Sequence, residues 1–124
     1  MKTLSVLSVD DNALSLRLVQ RMLAGTHMMV DDATSPSEAI AKSNGQHYDC
    51  ALVDITLPGI GGVELAHTLR TGPFPIRYLI ACTAHPFFGQ TLDAAGFNRV
   101  LLKPFNRAAL LAELLTAKKD PARP

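Results

Sequence analysis

A chain of 124 residues, 48% apolar and 19% charged, is the size and composition of one globular domain, able to bury roughly two-thirds of its unfolded surface in a single core. A net charge of +1 provides no field for holding nucleic acid or an anionic membrane, and no apolar run approaches the ~20 residues of a membrane span. Met1-Lys2-Thr3 leads into a strand-like segment rather than a signal peptide, so a cytoplasmic location is expected.

Leu4-Ser5-Val6-Leu7-Ser8-Val9 reads as a first strand that ends in Asp10-Asp11-Asn12. Residues 13–24 carry Leu14, Leu18 and Met22 with Val19 and Leu23 beside them, the spacing of an amphipathic helix capped by Asp11 or Asn12 and stopped at Gly25. Met28-Met29-Val30 is a short second strand, with Asp31 and Asp32 expected beyond it in solvent. Ser35-Pro36-Ser37-Glu38 has the form of a capping box with proline at the first helical position, which starts a second helix running to about Asn44.

Cys50 to Val53 is an apolar run that delivers one carboxylate, Asp54, and then breaks into Leu57-Pro58-Gly59. Short apolar runs bounded by turn signals are strands buried on both faces, as a parallel sheet requires. A third helix is predicted over residues 63–70, and a fourth strand over 76–82, closed by Thr83-Ala84. Residues 85–95 are the least regular stretch, because Pro86, Phe87, Phe88 and Gly89 interrupt any clean helical start; they read as a short or displaced helix. A fifth strand over 98–102 ends in Lys103-Pro104, and a last helix over 105–117 follows, with Asn106 as its cap and Leu110, Leu111, Leu114 and Leu115 as its buried face.

Five strand-helix alternations with short connections predict an α/β fold: one doubly wound (βα)5 flavodoxin-like domain, a five-stranded parallel sheet with helices on both faces. Cys50 and Cys82 start one strand and end another, several residues apart at about 3.3 Å each, so both are expected as buried free thiols.

The strand ends carry the chemistry. Asp10 and Asp11 follow the first strand, Asp54 the third, Thr83 the fourth and Lys103 the fifth, all on the carboxyl edge where open α/β sheets bind ligands. Three converging carboxylates repel one another, and a hard cation relieves them; oxygen ligands without cysteine or histidine favour Mg²⁺ or Mn²⁺ over zinc. A lysine and a hydroxyl beside such a cation suit a phosphoryl group. Taken singly, each residue has a structural explanation: a helix-capping aspartate, a strand threonine, a solvated lysine. Their coincidence at four strand ends does not.

With Val9-Asp10-Asp11-Asn12, the run from Tyr48-Asp49 through Asp54 into Leu57-Pro58-Gly59-Ile60-Gly61-Gly62, Thr83-Ala84 and Lys103-Pro104-Phe105 in order, the chain resembles a receiver domain of the two-component response regulators over essentially its whole length. The resemblance implies a receiver over residues 1–117 and a flexible tail over 118–124. It implies that Asp54 accepts a phosphoryl group from a histidine kinase or a histidine phosphotransfer protein, forming an acyl phosphate. Asp11 would ligate Mg²⁺ directly, Asp10 mostly through water, and Asp54 and the backbone carbonyl of Thr56 would complete the set. Lys103 would pair with a phosphoryl oxygen, and Thr83 would be the switch hydroxyl. Such a protein catalyses only its own phosphorylation and dephosphorylation, contacts neither nucleic acid nor membrane directly, and serves as a single-domain regulator or as the receiver of a hybrid kinase.

One position departs from the pattern. Where the family usually carries an aromatic residue, three before the lysine, this chain has Val100, whose β-branched side chain has a nearly fixed χ1 and cannot swing in or out. Either the output is read elsewhere, with Phe87-Phe88 as a candidate, or the conformational change is reduced. His85 and Thr56 would flank the path of the attacking water, while His27, His47 and His67 lack ligand spacing. The competing function is a phosphorylation-independent docking module of the same fold; retention of every acid, the threonine and the lysine argues against it. A flavin binder is disfavoured because Asp10-Asp11 would repel its phosphate, and an aspartyl phosphatase because Thr56 is not a second acid.

Overall fold

The computed structural model describes residues 4–55, 61–84 and 96–119. Strands β1 (Ser5–Val9), β2 (Met29–Ala33), β3 (Cys50–Asp54), β4 (Tyr78–Thr83) and β5 (Arg99–Leu102) form one parallel sheet in the order β2-β1-β3-β4-β5. Four helices are described: α1 (Ala13–Leu23), α2 (Pro36–Gly45), α3 (Gly62–Thr71) and α4 (Arg107–Lys119). The doubly wound architecture is as expected.

Alternation along the strands builds two cores. Leu7, Val9, Ala51, Val53, Leu79 and Ala81 point to one face, where Ala39 of α2 and Leu65, Ala66 and Leu69 of α3 cover them. Val6, Cys50, Leu52, Ile80 and Cys82 point to the other, under Val19 and Leu23 of α1 and Leu110, Leu114 and Ala117 of α4. Both faces of β3 and β4 are buried throughout, which explains why those strands are continuous apolar runs. Each leucine so covered contributes about 1.5–3 kcal/mol relative to exposure.

Local chemistry sets the helix starts. Asn12 Oδ1 accepts the N–H groups of Leu14 and Ser15 at 2.9 and 3.2 Å, so the cap of α1 is Asn12, and Asp11 is spared that task. Ser35 Oγ accepts the Glu38 N–H at 3.1 Å, with Pro36 opening α2; Glu38 in turn accepts from Thr34, one residue before the cap. Asn106 Oδ1 accepts the Ala109 N–H at 2.8 Å, capping α4 as expected.

Three expectations need correction. Helix α1 buries Leu16, Val19 and Leu23, whereas Leu14 and Leu18 are 62% and 46% exposed. The helix carries two overlapping apolar stripes, and spacing alone does not say which one meets the sheet. Asp31 and Asp32 are not beyond a short strand but inside β2, half-buried: Asp31 accepts from Tyr48 Oη at 2.7 Å and Gln46 at 2.9 Å, and Asp32 from Gln20 at 3.0 Å. In α4, Leu115 is exposed, while Glu113 is buried and takes a two-point ion pair from Arg99 of β5 at 2.9 Å. A carboxylate on the apolar side of a helix is tolerated when a guanidinium fork satisfies both oxygens. The two cysteines are buried free thiols, as expected.

Residues 85–95, including His85, Phe87 and Phe88, lie outside the described residues, as do Thr56, the Leu57-Pro58-Gly59-Ile60 turn and residues 120–124 of the expected tail. Val100 is half-buried against the core on the α3 side of the sheet.

Gly62 opens α3 at a close approach: a Cβ there would stand 2.7 Å from the Ile55 Cα, against backbone that cannot rotate away. Gly62→Ala is therefore expected to lose about 1–3 kcal/mol in urea denaturation. Gly45→Ala, whose Cβ would meet nothing within 4 Å, should stay within about 0.5 kcal/mol of the parent; equal effects at both sites would refute the contact.

Candidate functional site

Parallel pairing aligns the acids. Val9 is opposite Val53 in the β1–β3 register, so the residues that follow, Asp10 and Asp54, emerge side by side at the carboxyl edge. β1 and β3 are also where the strand order reverses, which opens a crevice for ligands. Asp54 is the last residue of β3 and pairs with Cys82; Thr83, one residue further along β4, is that strand's last residue. Asp10, Asp54 and Thr83 are buried, and Asp11 is exposed.

Lys103 follows β5 directly and is anchored by its backbone N–H on the Thr83 carbonyl at 2.8 Å. Its side chain crosses the ends of β4 and β3 to place Nζ 3.0 Å from Asp10 Oδ2 and 3.6 Å from Asp54 Oδ2. Asp10 Oδ1 accepts the Asn12 N–H at 3.0 Å, which orients the carboxylate and begins the turn into α1. Asp10, Asp11 and Asp54 each bring a carboxylate oxygen within 4.8 Å of the others. Of the residues expected at the site, the structure thus brings Asp10, Asp11, Asp54 and Lys103 together and sets Thr83 at the adjacent strand end, while Thr56 lies outside the described residues.

The charge balance follows from these distances. Burial acts to lower the Lys103 pKa, but the hydrogen bond to Asp10 and the charges of Asp54 and Asp10 outweigh it, and the pKa is raised. A raised ammonium contributes its stability fully below the ordinary lysine value and loses it only as pH climbs through the raised one, so the ion pair is intact at neutral pH and is lost in strongly alkaline solution. One ammonium faces three carboxylates, and Asp11 makes no hydrogen bond or ion pair among the described residues. Three hard oxygen donors within reach of one point, one of them open, fit a small divalent cation such as Mg²⁺.

Two features had no sequence signal. The closer partner of Lys103 is Asp10 rather than Asp54, because side-chain reach across three strands is a matter of geometry, not of order. Cys82 is drawn into the electrostatics of the site: burial pushes its thiol up to about 12, with Lys103 opposing and Asp54 and Asp10 adding to the rise. Only its register partnership with Asp54 would have pointed to this.

Comparison with known proteins agrees with this geometry. The family model described as "Response regulator receiver domain" matches residues 6–115. The sequence is 35% identical over 112 residues to the autoinducer 2 sensor kinase/phosphatase LuxQ of Vibrio harveyi, covering 88% of this chain and 13% of that protein. Among solved structures, the chemotaxis response regulator CheY4 of Vibrio cholerae superposes with a TM-score of 0.84 at 26% identity, covering 94% of this chain and 99% of that one. The receiver domain of the sensor histidine kinase PA1611 from Pseudomonas aeruginosa PAO1, solved with a magnesium ion in its active site cleft, gives 0.85 at 28% identity, with 96% and 100% covered. The chain spans less than half the length of the curated relatives it matches.

Burial holds the Cys82 thiol well above the ordinary cysteine range, so it is overwhelmingly protonated at pH 8. A disulfide reagent such as DTNB is expected to leave both buried cysteines unmodified in the native protein at pH 8 and to titrate both in guanidinium, with native reactivity rising as pH increases. Rapid native labelling of Cys82 at pH 8 would contradict its protonated, buried state.

Proposed function

The chain belongs to the response regulator receiver domain family, and from that premise we propose that Asp54 is its phosphoacceptor, taking a phosphoryl group from a phosphohistidine. The observation that carries this reading is the placement of Lys103 Nζ between Asp10 and Asp54, with Asp11 open beside them. An ammonium shared by two carboxylates at a sheet edge is a cation already in place for an incoming phosphoryl oxygen.

In the proposed reaction an Asp54 oxygen attacks phosphorus as the bond to the donor imidazole nitrogen breaks; the electron pair returns to that nitrogen, which takes a proton. Lys103 shifts its ammonium from the carboxylates toward the phosphoryl oxygens. Thr83, buried one residue beyond the level of Asp54 on the adjacent strand, supplies a hydroxyl for another of those oxygens. Asp11, Asp54 and the Thr56 carbonyl would hold Mg²⁺ or Mn²⁺, with Asp10 acting mostly through water. The cation, when bound, supplies charge neutralisation for the transferring group. The magnesium ion in the PA1611 receiver supports this assignment.

The donor is a histidine kinase or a histidine phosphotransfer protein, in keeping with a relative such as LuxQ, and the phosphorylated state changes which protein surface is presented. The only chemistry assigned to the chain is its own phosphorylation and dephosphorylation, carried by residues 1–117. No described helix is long and apolar enough to cross a membrane.

Incubation with acetyl phosphate and Mg²⁺ is expected to add one phosphoryl group by intact mass. The adduct should be absent from Asp54→Asn and after addition of EDTA, and Lys103→Met should slow its formation by about tenfold or more. A wild type left unmodified by acetyl phosphate and by a phosphorylated histidine phosphotransfer protein would assign a phosphorylation-independent docking module instead.

A further inference from the structure

A cavity of about 390 Å³ adjoins the acidic cluster, lined by residues of α1 and of the sheet. Leu52 and Cys82 of the sheet form its floor, Val19 and Met22 of α1 form a wall, and Phe105 closes one side. Asp10, Asp54 and Lys103 of the acidic cluster line it as well. A cavity of about 150 Å³ already accommodates benzene, so this one has room for a substituted ring.

One polar group breaks the apolar lining. Ser8 of β1 lies opposite Leu52 in the β1–β3 register and shares the strand face of Val6, so its side chain points to the α1 side of the sheet, into the cavity. It is only 3% exposed, and its hydroxyl has no hydrogen-bond partner among the described residues. Buried hydroxyls are ordinarily satisfied, and leaving one unpaired costs about as much as a hydrogen bond contributes. Ser15, across the cavity on α1, is the second small residue where a larger one would fill the space.

We propose that this cavity is a binding site for a small, neutral, mostly apolar organic molecule that carries one hydroxyl or carbonyl group for Ser8 Oγ. The lining selects against the alternatives. Away from Asp10, Asp54 and Lys103 the only polar side chains lining the cavity are Ser8 and Ser15, so a charged ligand seated on that apolar part would lose its hydration without gaining an ionic partner. The site goes beyond phosphoryl acceptance and does not require it; ligand entry is read on unphosphorylated protein without Mg²⁺.

The test uses phenol as the probe and toluene as its analogue without the hydroxyl, followed by methyl ¹³C NMR of the full chain. Saturable shifts are expected at the methyls of Leu18, Val19, Met22 and Leu52. In the parent phenol should bind more tightly than toluene, and Ser8→Ala should lower the ratio of the two affinities by roughly three- to tenfold, the worth of one neutral hydrogen bond. Ser15→Leu, a substitution on a half-buried helix position that fills the cavity, should abolish both sets of shifts. Absence of saturable shifts, shifts that survive Ser15→Leu, or a phenol-to-toluene ratio unchanged by Ser8→Ala would each overturn the proposal. Because no arm involves a phosphodonor, failure here and failure of Asp54 to accept a phosphoryl group are separate results.

Discussion

Parallel pairing of β1 with β3 is the constraint on which the site depends. Opposing Val9 to Val53 fixes Asp10 and Asp54 as neighbours, and no rearrangement of side chains alone can separate them. A slip by one residue would turn Leu7 and Val9 out of one core and Val6 out of the other, so the hydrophobic packing on both faces enforces the juxtaposition of two like charges. The fold therefore holds an electrostatically unfavourable cluster in place through apolar burial elsewhere. Lys103 offsets part of that repulsion, and only a long, flexible side chain can reach Asp10 from the far strand β5. An incoming anion or cation meets a site whose charges are already positioned and only partly neutralised.

Most of this was legible in the residues. The buried strands announce themselves as apolar runs, and each run that matters stops at a polar residue: Val9 before Asp10, Val53 before Asp54, Cys82 before Thr83, Leu102 before Lys103. Once the strands are taken as parallel, those stops share one edge. The caps at Ser35 and Asn106 were equally readable, because capping is local chemistry. What failed was tertiary. Leu14 and Leu18 have the spacing of a buried stripe but stay largely exposed, since Leu16, Val19 and Leu23 offer a second stripe that meets the sheet. Glu113 is buried because Arg99 of a neighbouring element pairs with it, a contact between elements that no local spacing encodes.

Val100 shows how packing fixes a side chain at the strand beside the site. Half-buried against the core beside β4, with Ala81 as its register partner, it is held by packing and by its own branched carbon. Any rearrangement at Thr83 must therefore be expressed through backbone or through other side chains rather than through rotation at this residue.

The corrected placement of Asp31 and Asp32 bears on a different property, the self-association of sheets. β2 is one of the two edge strands, and its far side presents backbone groups that another chain could pair with. Two successive carboxylates in that strand, each tied by Gln20, Gln46 or Tyr48 into its own domain, would have to be crowded against a neighbour's charges if identical copies stacked edge to edge. The acids that look like misplaced loop residues thus act as a guard against edge-to-edge aggregation, and a neutral pair at these positions would leave the sheet open to growth from that side.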